Sequence, residues 1–241
     1  MKKKITILTP TFNSQNVINR LINCLNNQTD KNFNWVVIDN LSTDQTIRLI
    51  RKSINSQIDY KIYSDSDNGI FDAINKGLSK LETDYYLILG ADDLIFKNTI
   101  SKLNNILSSN NKIDIIFSAF FYKDKLYFPR RNFGWLYGIT GLGSSHCVGT
   151  LIKKKLHDIF GMYNTEFPIA ADQLFIQSVV LSDTNIYRDK IPNGTFTEGG
   201  FSSQKLKFYL ELFEIQIRLG RNYLTQLLLL FLRLFKYYFI K

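Results

Sequence analysis

Four short runs rich in β-branched and aromatic residues, at 5–9, 35–38, 60–63 and 85–89, are separated by stretches whose apolar residues recur at helical spacing. The first interval carries Val17, Ile18, Leu21, Ile22 and Leu25, the second Ile47, Ile50 and Ile54, and the third the segment 70–81. Beyond the fourth run, Ile100, Leu103, Ile106 and Leu107 mark another helix and residues 113–117 another strand. Runs of four or five such residues fit strands, and a three-to-four spacing fits amphipathic helices. This rhythm predicts an α/β fold with a mostly parallel sheet covered by helices, because parallel neighbours need a crossover between them. With 241 residues, the chain is long enough for one sizeable core. The stretch 123–145 breaks the rhythm. It holds Pro129, Arg130, Arg131 and glycines at 134, 138, 141 and 143, and is read as loops lining a cleft.

An open α/β sheet binds ligands outside the carboxyl ends of its strands. The residues just past each run are therefore the ones that bear on function. They are Thr9-Pro10-Thr11-Phe12-Asn13, then Asp39-Asn40-Leu41-Ser42-Thr43-Asp44, then Asp65, Asp67 and Gly69, then Gly90-Ala91-Asp92-Asp93. Three successive strand ends thus bring acids to one edge. Helix capping accounts for any one of them, Ser42 or Asp44 for example, but less readily for the set. Asp92 and Asp93 are adjacent acids behind an apolar strand, where their charges would repel. A hard divalent cation relieves that repulsion. Mg²⁺ takes one or two protein carboxylates and fills its shell with phosphates and water, so a nucleotide diphosphate would complete such a site.

These residues resemble the inverting family 2 glycosyltransferases of the GT-A fold. The matching pieces are Thr9-Pro10-Thr11-Phe12-Asn13, Asp39 to Thr46, Asp67-Asn68-Gly69-Ile70-Phe71-Asp72-Ala73-Ile74-Asn75-Lys76-Gly77, Leu89-Gly90-Ala91-Asp92-Asp93 and Ala170-Ala171-Asp172-Gln173-Leu174. The resemblance implies a nucleotide-sugar donor, with a UDP-sugar expected. It implies that Thr9, Thr11 and Asn13 hold the nucleotide and that Asp39 meets the base. Asp67, Gly69 and Lys76 would approach base, ribose or phosphate; Asp92 would hold the ribose and Asp93 a Mg²⁺ or Mn²⁺ ion. Asp172 would be the general base that takes the proton of an acceptor hydroxyl, on a saccharide or a lipid-linked acceptor. A cap at the start of a helix over 174–181 is the competing reading of Asp172. His146 stands near the donor in the resemblance, followed here by Cys147 where relatives carry a polar residue; a site-lining role and a plain core histidine both fit. His146, Cys147 and His157 lack the spacing of a zinc site. Processive relatives carry Gln-x-x-Arg-Trp after the base; its absence here implies a single-addition enzyme.

The division expected is a catalytic domain over 1–203 and a basic helical tail over 204–241. The chain carries a net charge of +9. From Phe201 onward seven Lys/Arg face only Glu211 and Glu214 in an otherwise apolar stretch, which favours a membrane surface over nucleic acid. Arg218, Asn222, Gln226, Arg233 and Lys236 fall on one narrow helical face, and no uncharged run there approaches the ~20 residues of a bilayer span. Residues 5–8 are too short an apolar run for a signal peptide, so a cytoplasmic enzyme on the inner face of the membrane is expected. Two cysteines, Cys24 and Cys147, imply no disulfide framework. A Rossmann oxidoreductase would need Gly-x-Gly-x-x-Gly after the first strand, where this chain has Thr9-Pro10-Thr11. An inactive nucleotide-sugar-binding relative is the nearer alternative, and the complete set of acids argues against it.

Overall fold

Strand β1 (Ile5–Thr11) leads through α1 (Ile18–Asn26) to β2 (Phe33–Asp39), through α2 (Thr46–Ser53) to β3 (Asp59–Ser64), and through α3 (Ile70–Ser79) to β4 (Tyr85–Ile88). The computed structural model describes residues 4–131, 133–143, 147–197 and 204–239. After β4 come β5 (Leu94–Ile95), α4 (Thr99–Ser109), β6 (Ile115–Ser118), β7 (Phe120–Tyr122) and β8 (Lys125–Tyr127). Helix α5 (Gly134–Tyr137) and two 3-10 turns precede β9 (Thr150–Lys153), α6 (Leu156–Phe160) and α7 (Ala171–Val180). Strands β10 (Ile186–Asp189) and β11 (Gly194–Phe196) and helices α8 (Lys205–Arg218) and α9 (Tyr223–Phe239) complete the order.

The main sheet runs β10-β6-β9-β4-β1-β2-β3. The pairs β4-β1, β1-β2 and β2-β3 are parallel, so four neighbouring strands end on one edge. Strand β9 runs antiparallel to both β4 and β6. Alternating side chains divide the core. Ile5 and Ile7 of β1 pack on the face covered by α1, α2 and α4, while Leu8 packs on the face covered by α3, α6, α7 and α8. Trp35 is fully buried, and its indole N–H donates to Thr9 Oγ1 at 3.0 Å.

The described residues of the stretch 123–145 are more regular than the sequence suggests. Strands β7 and β8 form a hairpin whose two turn residues, Lys123 and Asp124, both have positive φ. That is the backbone of a type I′ turn, made without the Asn-Gly or Asp-Gly pair that would announce it. Together with β5 and β11, the hairpin makes a second sheet of order β5-β11-β7-β8. Helix α8 also belongs to the body of the fold: Ile215 is fully buried in the second core, and Gln216 Nε2 donates to Gln177 Oε1 and to the Gly134 carbonyl, each at 3.0 Å.

The second sheet anchors the segment that follows Asp92 and Asp93. There Gly194 of β11 lies against β5 so closely that an added Cβ would collide with the Leu94 carbonyl oxygen and the Ile95 backbone. Backbone cannot rotate out of the way as a side chain can. Gly194→Ala is expected to lower stability by about 1–3 kcal/mol, the usual range for overpacking, and to displace β5 from the acids before it. Thermal melting checks this; an unchanged Tm would show that β5 moves freely.

Candidate functional site

The carboxyl ends of β1, β2 and β3 are tied together through Asp39, the last residue of β2. Asp39 is fully buried and accepts four hydrogen bonds: from Thr11 Oγ1 at 2.9 Å, Ser42 N at 2.8 Å, Ser42 Oγ at 2.5 Å and Ser64 Oγ at 2.9 Å. A carboxylate offers about four acceptor sites, so all are taken by the chain itself. Contact between Asp39 and a bound base requires one of these donors to turn away. The turn is made possible by Leu41, whose φ of 50° lies in the left-handed region. For leucine that conformation costs roughly 1–2 kcal/mol. Asn13 is also left-handed; its N–H donates to Ser42 Oγ, and its Oδ1 accepts the Thr43 N–H.

Other expected nucleotide residues fall around this knot. Thr9 is fully buried beneath it, held by Trp35, and Thr11 is 5% exposed. Past β3, Asp67 accepts the N–H of Gly69 at 2.9 Å and donates its own N–H to Asn40 Oδ1 at 3.0 Å. Gly69 has φ +118°, a conformation closed to residues with a Cβ, and leads into α3. Asp72 reaches back to the Asn68 N–H, and Lys76 pairs with Asp72 at 3.1 Å and donates to the Ser66 carbonyl at 2.6 Å. Lys76 is thus folded over the loop that carries Asp67. Asp44 accepts the N–H groups of Gln15 and Thr46, bracing the start of α2.

Asp93 is 2% exposed, and one of its oxygens accepts the Gly90 N–H at 2.8 Å. Its other oxygen, Oδ1, is buried without a hydrogen bond of good geometry among the described residues, although the Thr197 backbone N–H is near enough to the carboxyl to favour its charged form. Burial, with the neighbouring Asp92 charge, pushes its carboxyl up to about 7. An orphaned oxygen on a carboxylate that resists ionisation is what a cation would satisfy, so Asp93 fits a metal ligand. Among the described residues no group of three or more His, Cys, Asp and Glu could hold an ion alone. The remaining ligands would have to come from substrate phosphates and water. Cys147 Sγ lies 3.7 Å from Asp93 Oδ2, and burial followed by the charges of Asp93 and Asp172 raises its thiol well above the ordinary value. The two acids therefore share one neighbourhood despite their distance in sequence. His146 lies outside the described residues. His157 is a core histidine: Nε2 meets Tyr86 Oη at 2.6 Å and Nδ1 meets the Gly161 carbonyl at 2.9 Å.

Asp172 is the second residue of α7, inside the helix rather than at its cap, where Ala170 stands. Its own contact is local, an acceptance from Gln173 N at 2.8 Å. Burial pushes the carboxyl up to about 6 against that hydrogen bond, and the charge of Glu211 adds to the rise. A helix start favours the ionised carboxylate, and at Asp172 burial outweighs it. Three features had no clear signal in the sequence. Phe12 and Leu41 stand 60% and 54% exposed at the ends of adjacent strands, Tyr163 senses the Asp172 charge from a buried network with Tyr86, and Glu211 arrives from α8.

With this geometry in hand, likeness to known proteins is decisive for the family. The model of Glycosyl transferase family 2 matches residues 6–180. The chain belongs to that family. An uncharacterized glycosyltransferase of Haemophilus influenzae is 31% identical over 111 residues, which are 45% of this chain and 44% of that protein. TarS of Staphylococcus aureus, a poly(ribitol-phosphate) beta-N-acetylglucosaminyltransferase, is 26% identical over 195 residues, 76% of this chain and 33% of TarS. The chain thus spans less than half of either relative. A TarS structure in complex with UDP-GlcNAc superposes with TM-score 0.64 at 21% identity, covering 97% of this chain and 73% of that one. Glucosyl-3-phosphoglycerate synthase of Mycobacterium tuberculosis, in complex with Mn²⁺, UDP and product, superposes with TM-score 0.61 at 16% identity, covering 91% and 81%. The fold is GT-A.

A carboxyl whose native pKa is raised stabilises the fold only while protonated; that contribution is lost as pH rises through the native value. For Asp172 the window runs from about 4 to about 6. Asp172→Asn, measured in EDTA without donor, is expected to melt roughly 2–4 °C above wild type at pH 8, about 1 kcal/mol after allowance for partial exposure. The advantage should vanish at pH 4. A gap that stays the same at both pH values would contradict a raised carboxyl.

Proposed function

We propose that this family 2 protein transfers a sugar from a nucleotide-diphosphate donor, a UDP-hexose or UDP-N-acetylhexosamine, to a saccharide or lipid-linked acceptor, with inversion and one addition per encounter. The observation that carries the reading is that two acids of different kind act on the same Cys147 thiol. Asp93 has an orphaned oxygen suited to a cation, and Asp172 is a half-buried carboxylate with a raised pKa suited to a proton. TarS, crystallised with UDP-GlcNAc, and the synthase, crystallised with Mn²⁺ and UDP, support the donor and metal classes.

The donor base would lie over the knot around Asp39, between the exposed Phe12 and Leu41, with Asp67 and Asp92 toward the ribose. Asp93, with Asp92 beside it, would hold Mg²⁺ or Mn²⁺, which when bound stabilises the charge on the departing diphosphate. Asp172 accepts the acceptor hydroxyl proton as that oxygen bonds to the anomeric carbon. The bond from that carbon to the diphosphate oxygen breaks, and its electron pair leaves with the nucleoside diphosphate. A base with pKa about 6 is mostly ionised at neutral pH yet takes a proton readily.

The test is UDP release from a panel of UDP-sugars. Asp93→Ala and EDTA should both abolish turnover, with Mn²⁺ or Mg²⁺ restoring only the wild type. Asp172→Asn should bind UDP with Mn²⁺ normally and lose roughly 10²–10⁴-fold in kcat. Full activity in EDTA would sink the metal role, and wild-type turnover in Asp172→Asn would sink the base.

The tail supports attachment to the inner face of the membrane. Helix α9 is turned inside out: Gln226 is 1% exposed and donates to the Trp135 carbonyl at 2.8 Å, and Arg233 donates to the Leu136 carbonyl at 2.6 Å. Leu224, Leu228, Phe231, Phe235 and Phe239 face outward instead, near exposed Trp135 and Tyr137 of α5. No helix among the described residues is long and apolar enough to cross a membrane. An apolar and aromatic face of this kind suits the bilayer interface. The full chain should float with vesicles of phosphatidylcholine and phosphatidylglycerol and resist salt extraction, and the double variant Phe231→Glu/Phe235→Glu should stay behind as a folded protein. A full chain that forms stable dimers and ignores the vesicles would refute membrane docking.

A further inference from the structure

Helix α8 carries one acid into the heart of the catalytic domain. Glu211 is 8% exposed, beside the buried Leu212 and Ile215. Its Oε2 accepts two successive backbone N–H groups, from Ile169 at 3.0 Å and Ala170 at 2.8 Å. These are the last two residues before α7, whose second residue is Asp172. The first N–H groups of a helix lack partners within it, and the alanine at this cap position has no side-chain acceptor to offer. Glu211 therefore holds, from a distant helix, the two N–H groups just ahead of those that a capping serine or aspartate would serve.

A local cap would be the cheaper way to stabilise α7. The second oxygen of Glu211, Oε1, is buried with no hydrogen-bond partner among the described residues. A half-satisfied buried carboxylate is a poor stabilising element. What it does offer is a cross-link: it fixes the turn at 169–170 against α8, which a cap within α7 cannot do. Gln216, further along α8, holds Gln177 of α7, so the two helices are pinned at both ends of the contact.

We infer that Glu211 is a positioning residue for Asp172, clamping the turn before α7 so that the carboxylate keeps a fixed line to the acceptor. The inference rests on the reading of Asp172 as the base. A base must stand about 2.6–3.2 Å from the proton it takes, and a misplacement of about 1 Å costs on the order of 10²-fold. The turn is short and its side chains are Ile169 and Ala170, so among the described residues Glu211 is the side chain that grips its N–H groups. The charge of Glu211 also acts on Asp172 directly, in the direction of a stronger base.

The experiment uses the full chain with Mn²⁺ and UDP-GlcNAc or UDP-glucose, whichever turns over faster, with water as acceptor. Glu211→Gln, Glu211→Asp and Glu211→Ala are each made alone and with Asp172→Asn. Glutamine keeps the reach and an acceptor oxygen, so its kcat should stay within about threefold of wild type, given a bond to a neutral acceptor in place of a charged one. Aspartate keeps the charge but is one methylene short, so kcat should fall roughly 10- to 100-fold, as for alanine, with UDP–Mn²⁺ binding unchanged by calorimetry. In the Asp172→Asn background neither variant should lower kcat further, because coupled residues are not additive. Equal losses with and without the Asp172 carboxylate, or wild-type kcat in Glu211→Asp, would overturn the positioning role. If Glu211→Ala fails to fold, Glu211→Asp decides the matter. Asp172→Asn alone reports on the base: wild-type turnover there rejects the base reading, whereas a dead Asp172→Asn beside a fully active Glu211→Asp rejects only the clamp.

Discussion

A buried carboxylate without four good donors would be too costly to place at the centre of a sheet. Asp39 is tolerated there because Thr11, Ser42 and Ser64 surround it with hydrogen-bond donors. The consequence reaches beyond one side chain. Those donors come from the ends of the two flanking strands and from the loop after β2, so satisfying Asp39 fixes β1, β2 and β3 in register at the candidate donor edge. Leu41 takes a strained backbone to complete the set, and Asn13 takes another to hold Ser42. The strain sits beside the candidate donor site, where local backbone cost is most often found.

Two acids on this edge differ because their surroundings differ. Asp93 is nearly inaccessible, with one oxygen bonded to Gly90 and the other left open. Asp172 is half-buried at the start of a helix, and its carboxyl rises less. Burial raises both, but only Asp93 has the geometry of a site completed from outside. The proposed division of labour, one acid for a cation and one for a proton, follows from these environments rather than from residue type. The second sheet supports the arrangement by pressing β11 against β5, just past Asp93.

The C-terminal helices do two things at once. Toward the protein they present Glu211, Gln216, Gln226 and Arg233, all engaged with backbone or side chains of the body. Toward the outside α9 presents leucine, phenylalanine and tyrosine. A helix in water normally does the reverse. The helical period in the sequence located the polar stripe but could not say which way it faced, because periodicity carries no reference to a neighbour.

Much of the fold was legible because parallel strands buried on both faces, and the helices covering them, write their periods into local sequence. The acids at 39, 67, 92 and 93 were legible as a set for the same reason: each follows a strand, and parallel strands deliver their ends together. The antiparallel β9 and the hairpin of β7 and β8 were not, since β9 falls outside the alternating strand–helix rhythm, three-residue strands are shorter than any period, and the turn uses Lys123 and Asp124 in place of glycine. By itself the sequence determined the alternating elements, the acid-rich edge and the family motifs. Only the tertiary structure decided that all four acceptor sites of Asp39 are occupied, that Cys147 lies against Asp93, that burial outweighs the helix start at Asp172, and that Glu211 grips the turn before it. Each of these depends on which groups meet across long stretches of chain, and on how much water is left between them, neither of which a local pattern of residues can encode.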